Sequence, residues 1–381
     1  MKKPIIILLL ILLGLILAAS LVFLAFYRAA HPANANFSNL STIRAIRVDY
    51  IDEGKSRAEV AALETHLQQA GVNLVAVGAG RVDWTYFPWP GHPDLWSSDV
   101  KKSGHDYLLE DSSRFGKWAH VSAVVDVLAP LYIQAHPEAA AVSWTGIPSL
   151  NLVGTMELVN GQFGQELLSM LDEIAKYYPV NSIILTELSY YTDGFGEPDK
   201  AAYLDYTGRT DWPRTENGAI NINEPSIGIW RAYEITRFLE KAEDILHRQH
   251  KLLFLEARIS QDPTGQVFVE NGADFNLFLK YADRLVVRGG SDPAVRSQAS
   301  MKAITNYLAR YPKNQVITGL GLWSRDYDQS TPKSLMTGIP VAEFQSALQG
   351  VGGNLWVTPS FLMTESNWQA LADHWNSSPI P

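Results

Sequence analysis

The sequence predicts a (β/α)8 barrel preceded by a single N-terminal transmembrane helix. Three observations predict it. The N-terminus carries a long uncharged apolar run, eight short β-rich runs alternate with amphipathic helical stretches, and no Gly-rich phosphate loop follows the first strand. Near-continuous apolar strands belong to parallel sheets covered on both faces. Eight strand–helix alternations match a closed barrel; a doubly wound sheet is the alternative arrangement.

The first element is the run from Pro4 to about Tyr27, which follows Met1, Lys2 and Lys3. A bilayer core about 30 Å thick takes about 20 apolar helical residues. A cleaved signal peptide has an apolar core of only about 7–15 residues, so residues 1–27 read as an uncleaved signal anchor. Cleavage after Ala33-Asn34-Ala35, a small-x-small triplet, is the alternative. No Cys follows the run, which excludes a lipoprotein anchor, disulfides and thiolate metal sites. Lys2 and Lys3 put the short end in the cytoplasm. The expected location is therefore the cell membrane, single-pass, with the C-terminal domain extracytoplasmic.

Residues 28–41 read as a polar linker and 42–376 as the barrel. The expected strands are 43–50, 72–77, 121–127, 182–188, 252–257, 284–288, 315–320 and 354–358. The expected helices are 57–70, 162–178, 226–249, 274–281, 292–310 and 341–348. Insertions at 80–116 and 190–225 each follow the C-terminal end of a strand, the active-site face of a barrel. The net charge of −9 and the lack of a basic run exclude nucleic acid as a partner. Eleven Trp and 16 Tyr are high counts that suit sugar stacking as well as core packing. No Gly-x-Ser-x-Gly elbow and no metal-type His spacing is present, so no cofactor is implied and His120 and His136 read as packing or capping residues.

Polar residues that end apolar strands carry the functional signal. Glu187 ends Ser182-Ile183-Ile184-Leu185-Thr186, and Glu256 ends Leu252-Leu253-Phe254-Leu255. By period two, Leu185 and Glu187 share a face, as do Phe254, Glu256 and Arg258. A carboxylate at such a depth is costly unless paired or used. Two on neighbouring strands form the pair that glycosidic bond cleavage needs, one as proton donor and one as nucleophile or base. Glu187 is expected to be the general acid/base, with one carboxyl pKa raised by the other's charge. A plain structural pairing of the glutamates with Arg258 or Arg288 is the competing reading. Asp49, Asp126, Tyr190, Asp193, Arg258 and Arg288 are the expected polar contacts. Trp84, Trp89, Trp144, Trp323 and Trp356 are the expected stacking faces, with Trp84, Tyr86 and Trp89 on the rim of the cleft.

The segment Val121–Val142, with its His136-Pro137-Glu138 peptide, resembles the third-strand region of bacterial glycosyl-hydrolase-like barrels. Gly71-Val72-Asn73 and Asp193-Gly194-Phe195 are similar too. The resemblance is to family 10-like envelope glycosidases and the hydrolase domain of proteins that process poly-N-acetylglucosamine. It implies a carbohydrate-active barrel acting on envelope or exported polysaccharide. After Asp193 the chain departs from that pattern, since Phe195-Gly196-Glu197-Pro198 turns away, and both Asp193 and Glu187 stand as the acid. A non-catalytic polysaccharide-binding or assembly protein on the same barrel is the second reading, and a structural envelope protein the third. Oligomeric state has no signature in the sequence.

Overall fold

A computed structural model describes residues 40, 42–49, 57–259, 272–288, 296–324 and 336–377. The expected anchor (1–27) and nearly all of the linker lie outside the described residues. Among those described, no helix is long and apolar enough to cross a membrane.

The strands run in chain order as β1 (Arg44–Asp49), β2 (Leu74–Arg81), β3 (Trp84–Thr85), β4 (His120–Asp126), β5 (Ala140–Val142), β6 (Pro148–Val153), β7 (Ser182–Thr186), β8 (Leu252–Arg258), β9 (Arg284–Arg288), β10 (Val316–Gly321) and β11 (Leu355–Thr358). The sheet order is β1-β11-β10-β9-β8-β7-β4-β2, and β1 pairs again with β2. Those eight strands are parallel throughout and close on themselves, as a TIM barrel does. An open doubly wound sheet is excluded, because it would have two unpaired edges.

Strand alternation separates the two faces of the barrel wall. Leu253, Leu255 and Ala257 pack into one core with helix residues such as Phe238 and Leu239. Phe254, Glu256 and Arg258 therefore take the opposite face, the barrel interior. The helix Gln162–Tyr177 shows why the outer layer forms: Phe163, Leu167, Met170, Leu171 and Ile174 recur at helical spacing and are all buried. Each such side chain contributes roughly 1.5–3 kcal/mol of burial.

The insertions carry structure of their own. Helices Ser98–Ser103 and Tyr107–Phe115 fill the first. Helices Pro130–Ala135 and Thr155–Asn160 flank the antiparallel hairpin β5–β6, and helix Glu197–Thr207 lies in the second insertion. Near the mouth, β2 has a register shift between Gly78 and Gly80. Gly80 has a φ of 118°, and a Cβ there would lie 2.3 Å from the Trp84 carbonyl oxygen. Glycine is thus required for β3 to fold back onto β2.

That fold-back corrects the expected aromatic rim. The Tyr86 N–H donates to the Ala79 carbonyl at 2.9 Å, which returns the chain to the barrel wall. Tyr86 and Trp89 are buried, and Phe87 packs edge-on against Tyr178. Trp84 stays half-buried, stacked on Tyr86 and flanked by the Arg81 guanidinium. Trp356 points from β11 and is also buried. Trp89 and Trp356 are packing residues and offer no face to a sugar.

Candidate active site

The site is built at the C-terminal ends of β4, β7, β8 and β9, where parallel register puts polar residues level with one another. Asp126 pairs with Thr186 in the ladder, and Leu185 pairs with Leu255, which sets Thr186 beside Glu256. Glu256 is level with Val286, and Arg258 with Arg288. Interior-facing side chains on these rungs converge at the mouth.

Glu187 reaches this cluster by a different route from the one its spacing predicts. Leu185 packs outward with the helices, so an extended strand would turn Glu187 outward too. Instead Glu187 has a φ of 64°, in the left-handed region. That conformation costs a residue with a Cβ roughly 1–2 kcal/mol. Arg258 Nη2 donates to Glu187 Oε2, and Arg288 Nη1 donates to Oε1 at 2.7 Å. Hydrogen bonds to charged groups contribute roughly 1.5–3 kcal/mol each, so the pair outweighs the strain.

Arg288 is the hub. Its Nη1 also donates to Glu256 Oε1 at 2.7 Å, so one nitrogen holds both carboxylates. Those two oxygens are therefore no more than about 5.4 Å apart. The guanidinium lies 5.3 Å from the Trp323 ring centroid. The Trp323 carbonyl accepts from the fully buried Arg296, whose Nε is held by Glu343 at 2.9 Å. Alongside, Asp126 accepts from Thr186 Oγ1 and lies 3.6 Å from Arg47 Nη2.

Electrostatics follow from these contacts. Burial favours the neutral form of Glu187, but the charges of Arg288 and Arg258, with Arg47 behind them, overcome it and hold the carboxyl down at about 2. Burial also works against the charge on Arg288, and Glu256 and Glu187 outweigh it, so its guanidinium is held charged. The expected raised carboxyl is thus not found at Glu187. A nearby opposite charge favours the ionised form, and Glu187 has two guanidinium groups on its oxygens.

Glu187, Glu256, Asp126, Arg258, Arg288 and Trp323 come together. Arg47 and Thr186 belong with them although the sequence reading passed over both. Arg47 interrupts an apolar strand just as Glu256 does, and that signal would have found it. The side chain of Asp49 lies outside the described residues. Tyr190 and Asp193 join a separate buried cluster. The Arg231 guanidinium donates to the Asp193 carbonyl and lies 4.6 Å from the Phe195 ring centroid. Tyr190 is fully buried; burial first, then the charge of Asp199, push its hydroxyl pKa well up. Asp199 is raised to about 6 by burial, and it accepts the Met156 N–H at the start of a helix. Through Arg231 this part of the second insertion is tied to the helix Pro225–Arg248. Trp144 is exposed on a separate cleft.

No family model matches the chain, and no curated protein matches it by sequence. Among solved structures it is similar to a β-galactosidase from the psychrophilic Marinomonas ef1, at 13% identity with a TM-score of 0.61. That match covers 88% of this chain but only 59% of the galactosidase, so the chain spans about three fifths of its length. It is also similar to the PgaB (BpsB) glycoside hydrolase domain from Bordetella bronchiseptica, at 15% identity and a TM-score of 0.58 over 87% of this chain and 98% of that one. The catalytic domain of a β-amylase from Paenibacillus polymyxa follows at 11% identity and 0.56, covering 89% and 99%. The likeness is one of fold: these are TIM-barrel glycoside hydrolases.

Proposed function

We propose that this protein is a membrane-anchored extracytoplasmic glycoside hydrolase-like barrel acting on envelope or exported polysaccharide. The observation that carries the reading is the Glu187–Arg288–Glu256 arrangement at the strand ends. The two oxygens bridged by Arg288, Oε1 of each carboxylate, lie no more than about 5.4 Å apart. Retaining glycosidases place their carboxyl groups about 5–5.5 Å apart, and inverting ones need about 6.5–9.5 Å to admit water. Glu187, held ionised and in a strained backbone, is assigned as the nucleophile that attacks the anomeric carbon. Glu256, held by one guanidinium rather than two, is assigned to protonate the leaving oxygen and then to deprotonate the incoming water. These roles exchange those expected from sequence. Asp126, Arg258 and Arg288 orient the pair. The β-galactosidase, the PgaB hydrolase domain and the β-amylase support a carbohydrate substrate by fold. Residues 1–27 serve as the anchor on the strength of their length and of Lys2 and Lys3.

A second reading has its own observation. Arg288 already satisfies both carboxylates without substrate, as a protein that binds polysaccharide without cleaving it would allow. Incubating the detergent-solubilised full chain with a panel of bacterial exopolysaccharides separates the two. Mass spectrometry is expected to find shortened oligosaccharides from at least one polymer. Binding without any product across the panel would favour the second reading.

A further inference from the structure

Outside the carboxylate cluster lies an open cleft of 550 Å³ lined by Trp144, Thr215, Glu216, Asn217, Asn221 and Asn223, among others. Its volume falls within the roughly 300–1,000 Å³ of small-ligand sites. One wall is an exposed indole and the other a run of side-chain amides. An indole face packs against the C–H face of a sugar ring. Asparagine amides offer a donor and an acceptor side by side, the pattern that hydroxyl groups require.

Both walls are held before any ligand arrives. The backbone N–H of Trp144 donates to the Thr192 carbonyl at 3.0 Å, and the hairpin tip is closed by Ser143, whose N–H donates to the Ile147 carbonyl at 2.8 Å. The amide-bearing loop is closed by Thr215, which bonds Ala219 at 2.9 Å, and by Asn221, whose N–H donates to the Pro213 carbonyl at 2.8 Å. Ile220 and Ile222 root that loop in the aromatic core of Tyr203, Trp212 and Trp230. A preformed cleft avoids the ordering cost of binding.

Thr192, which fixes Trp144, follows Glu187 by five residues. Five residues span at most about 18 Å. The cleft therefore lies within reach of one polymer chain that also occupies the strand-end carboxylates, while none of its lining residues belongs to them. The lining residue that carries charge is Glu216, so a polyanion is disfavoured.

We infer that the Trp144 cleft is a distal subsite for an uncharged sugar chain, which lets the protein grip a polymer away from the carboxylates. This rests on the proposed carbohydrate function and not on catalysis. The test compares Glu187→Gln protein, used as the full chain in detergent, with Glu187→Gln/Trp144→Ala, by calorimetry or affinity electrophoresis. The probes are a linear neutral glucan, N-acetylglucosamine oligomers and polygalacturonate. Losing the indole is expected to weaken binding of a neutral chain about tenfold, as for an aromatic hot spot. Trp144→Phe should retain most of the affinity, and polygalacturonate should not bind. Equal affinity with and without the indole, tighter binding of polygalacturonate, or no binding of any sugar probe overturns the subsite. If the unmutated protein proves to cleave nothing while Trp144-dependent binding is present, the subsite stands and the hydrolase assignment falls.

Discussion

Replacing Arg288 with Met is expected to cost about 3–5 kcal/mol of folding stability at pH 7, the range for breaking one side of a buried ion pair. Methionine is an apolar match in length, so packing changes little. What remains are two carboxylates, at Glu187 and Glu256, that both relied on the same Nη1. Burial now acts on each, with Arg258, and Arg47 behind it, left to offset it at Glu187. The loss depends on pH with a definite sign. In the parent, the Glu187 carboxyl is held at about 2 against an ordinary 4.5, so the unfolded chain binds more protons between those values. That contribution is complete above about pH 4.5 and is lost as the pH falls towards 2. Urea unfolding of parent and variant should therefore diverge most near neutrality and converge in acid. Arg288→Lys should restore only part of the difference, because an ammonium is more strongly hydrated than a guanidinium and costs more to bury beside the two carboxylates. A neutral-pH loss below about 1 kcal/mol would mean the cluster is screened like a surface pair.

Glu187→Gln is expected to lower turnover about a thousandfold on any polymer the parent cleaves, with folding intact. The change keeps shape and removes the charge that the two arginines hold in place. Positioned acid, base or nucleophile groups are worth about 10²–10⁴ in rate, and a thousandfold is about 4 kcal/mol of transition-state stabilisation. Glu256→Gln should fall by a similar factor, since each carboxyl serves a step that the other cannot. Turnover at the parental rate in both variants would remove the cluster from catalysis.

The barrel itself was legible because its signal is one of period and order. The eight apolar runs from Arg44–Asp49 to Leu355–Thr358 needed no contact information, and their ends differ from expectation by a residue or two, except that Leu74–Arg81 runs four residues past the expected end. Glu256, Arg258 and Arg288 were legible for the same reason, as charges on the interior face of apolar strands. Glu187 joined the right cluster for the wrong reason. Period two continues only while the backbone stays extended, and a φ of 64° ends it. Its protonation follows the competing reading instead, the pairing with Arg258 and Arg288, whose charges outweigh burial. Trp89 was placed on the rim because a loop after a strand normally faces solvent; β3 turns it inward instead. Tyr190 and Asp193 depended on Arg231, which lies in the second turn of the helix Pro225–Arg248, where nothing in its neighbours marks it as a partner.

The most direct test of the proposed site is the anomeric configuration of the first product released, followed by proton NMR during cleavage of a polymer from the panel. The two carboxyl oxygens bridged by Arg288 Nη1 are no more than about 5.4 Å apart, short of the roughly 6.5–9.5 Å of inverting sites. The expected result is retained configuration at the start of the reaction, before mutarotation, with a glycosyl adduct recoverable on the peptide containing Glu187. Inverted configuration, or an adduct on another carboxylate, would contradict the assignment.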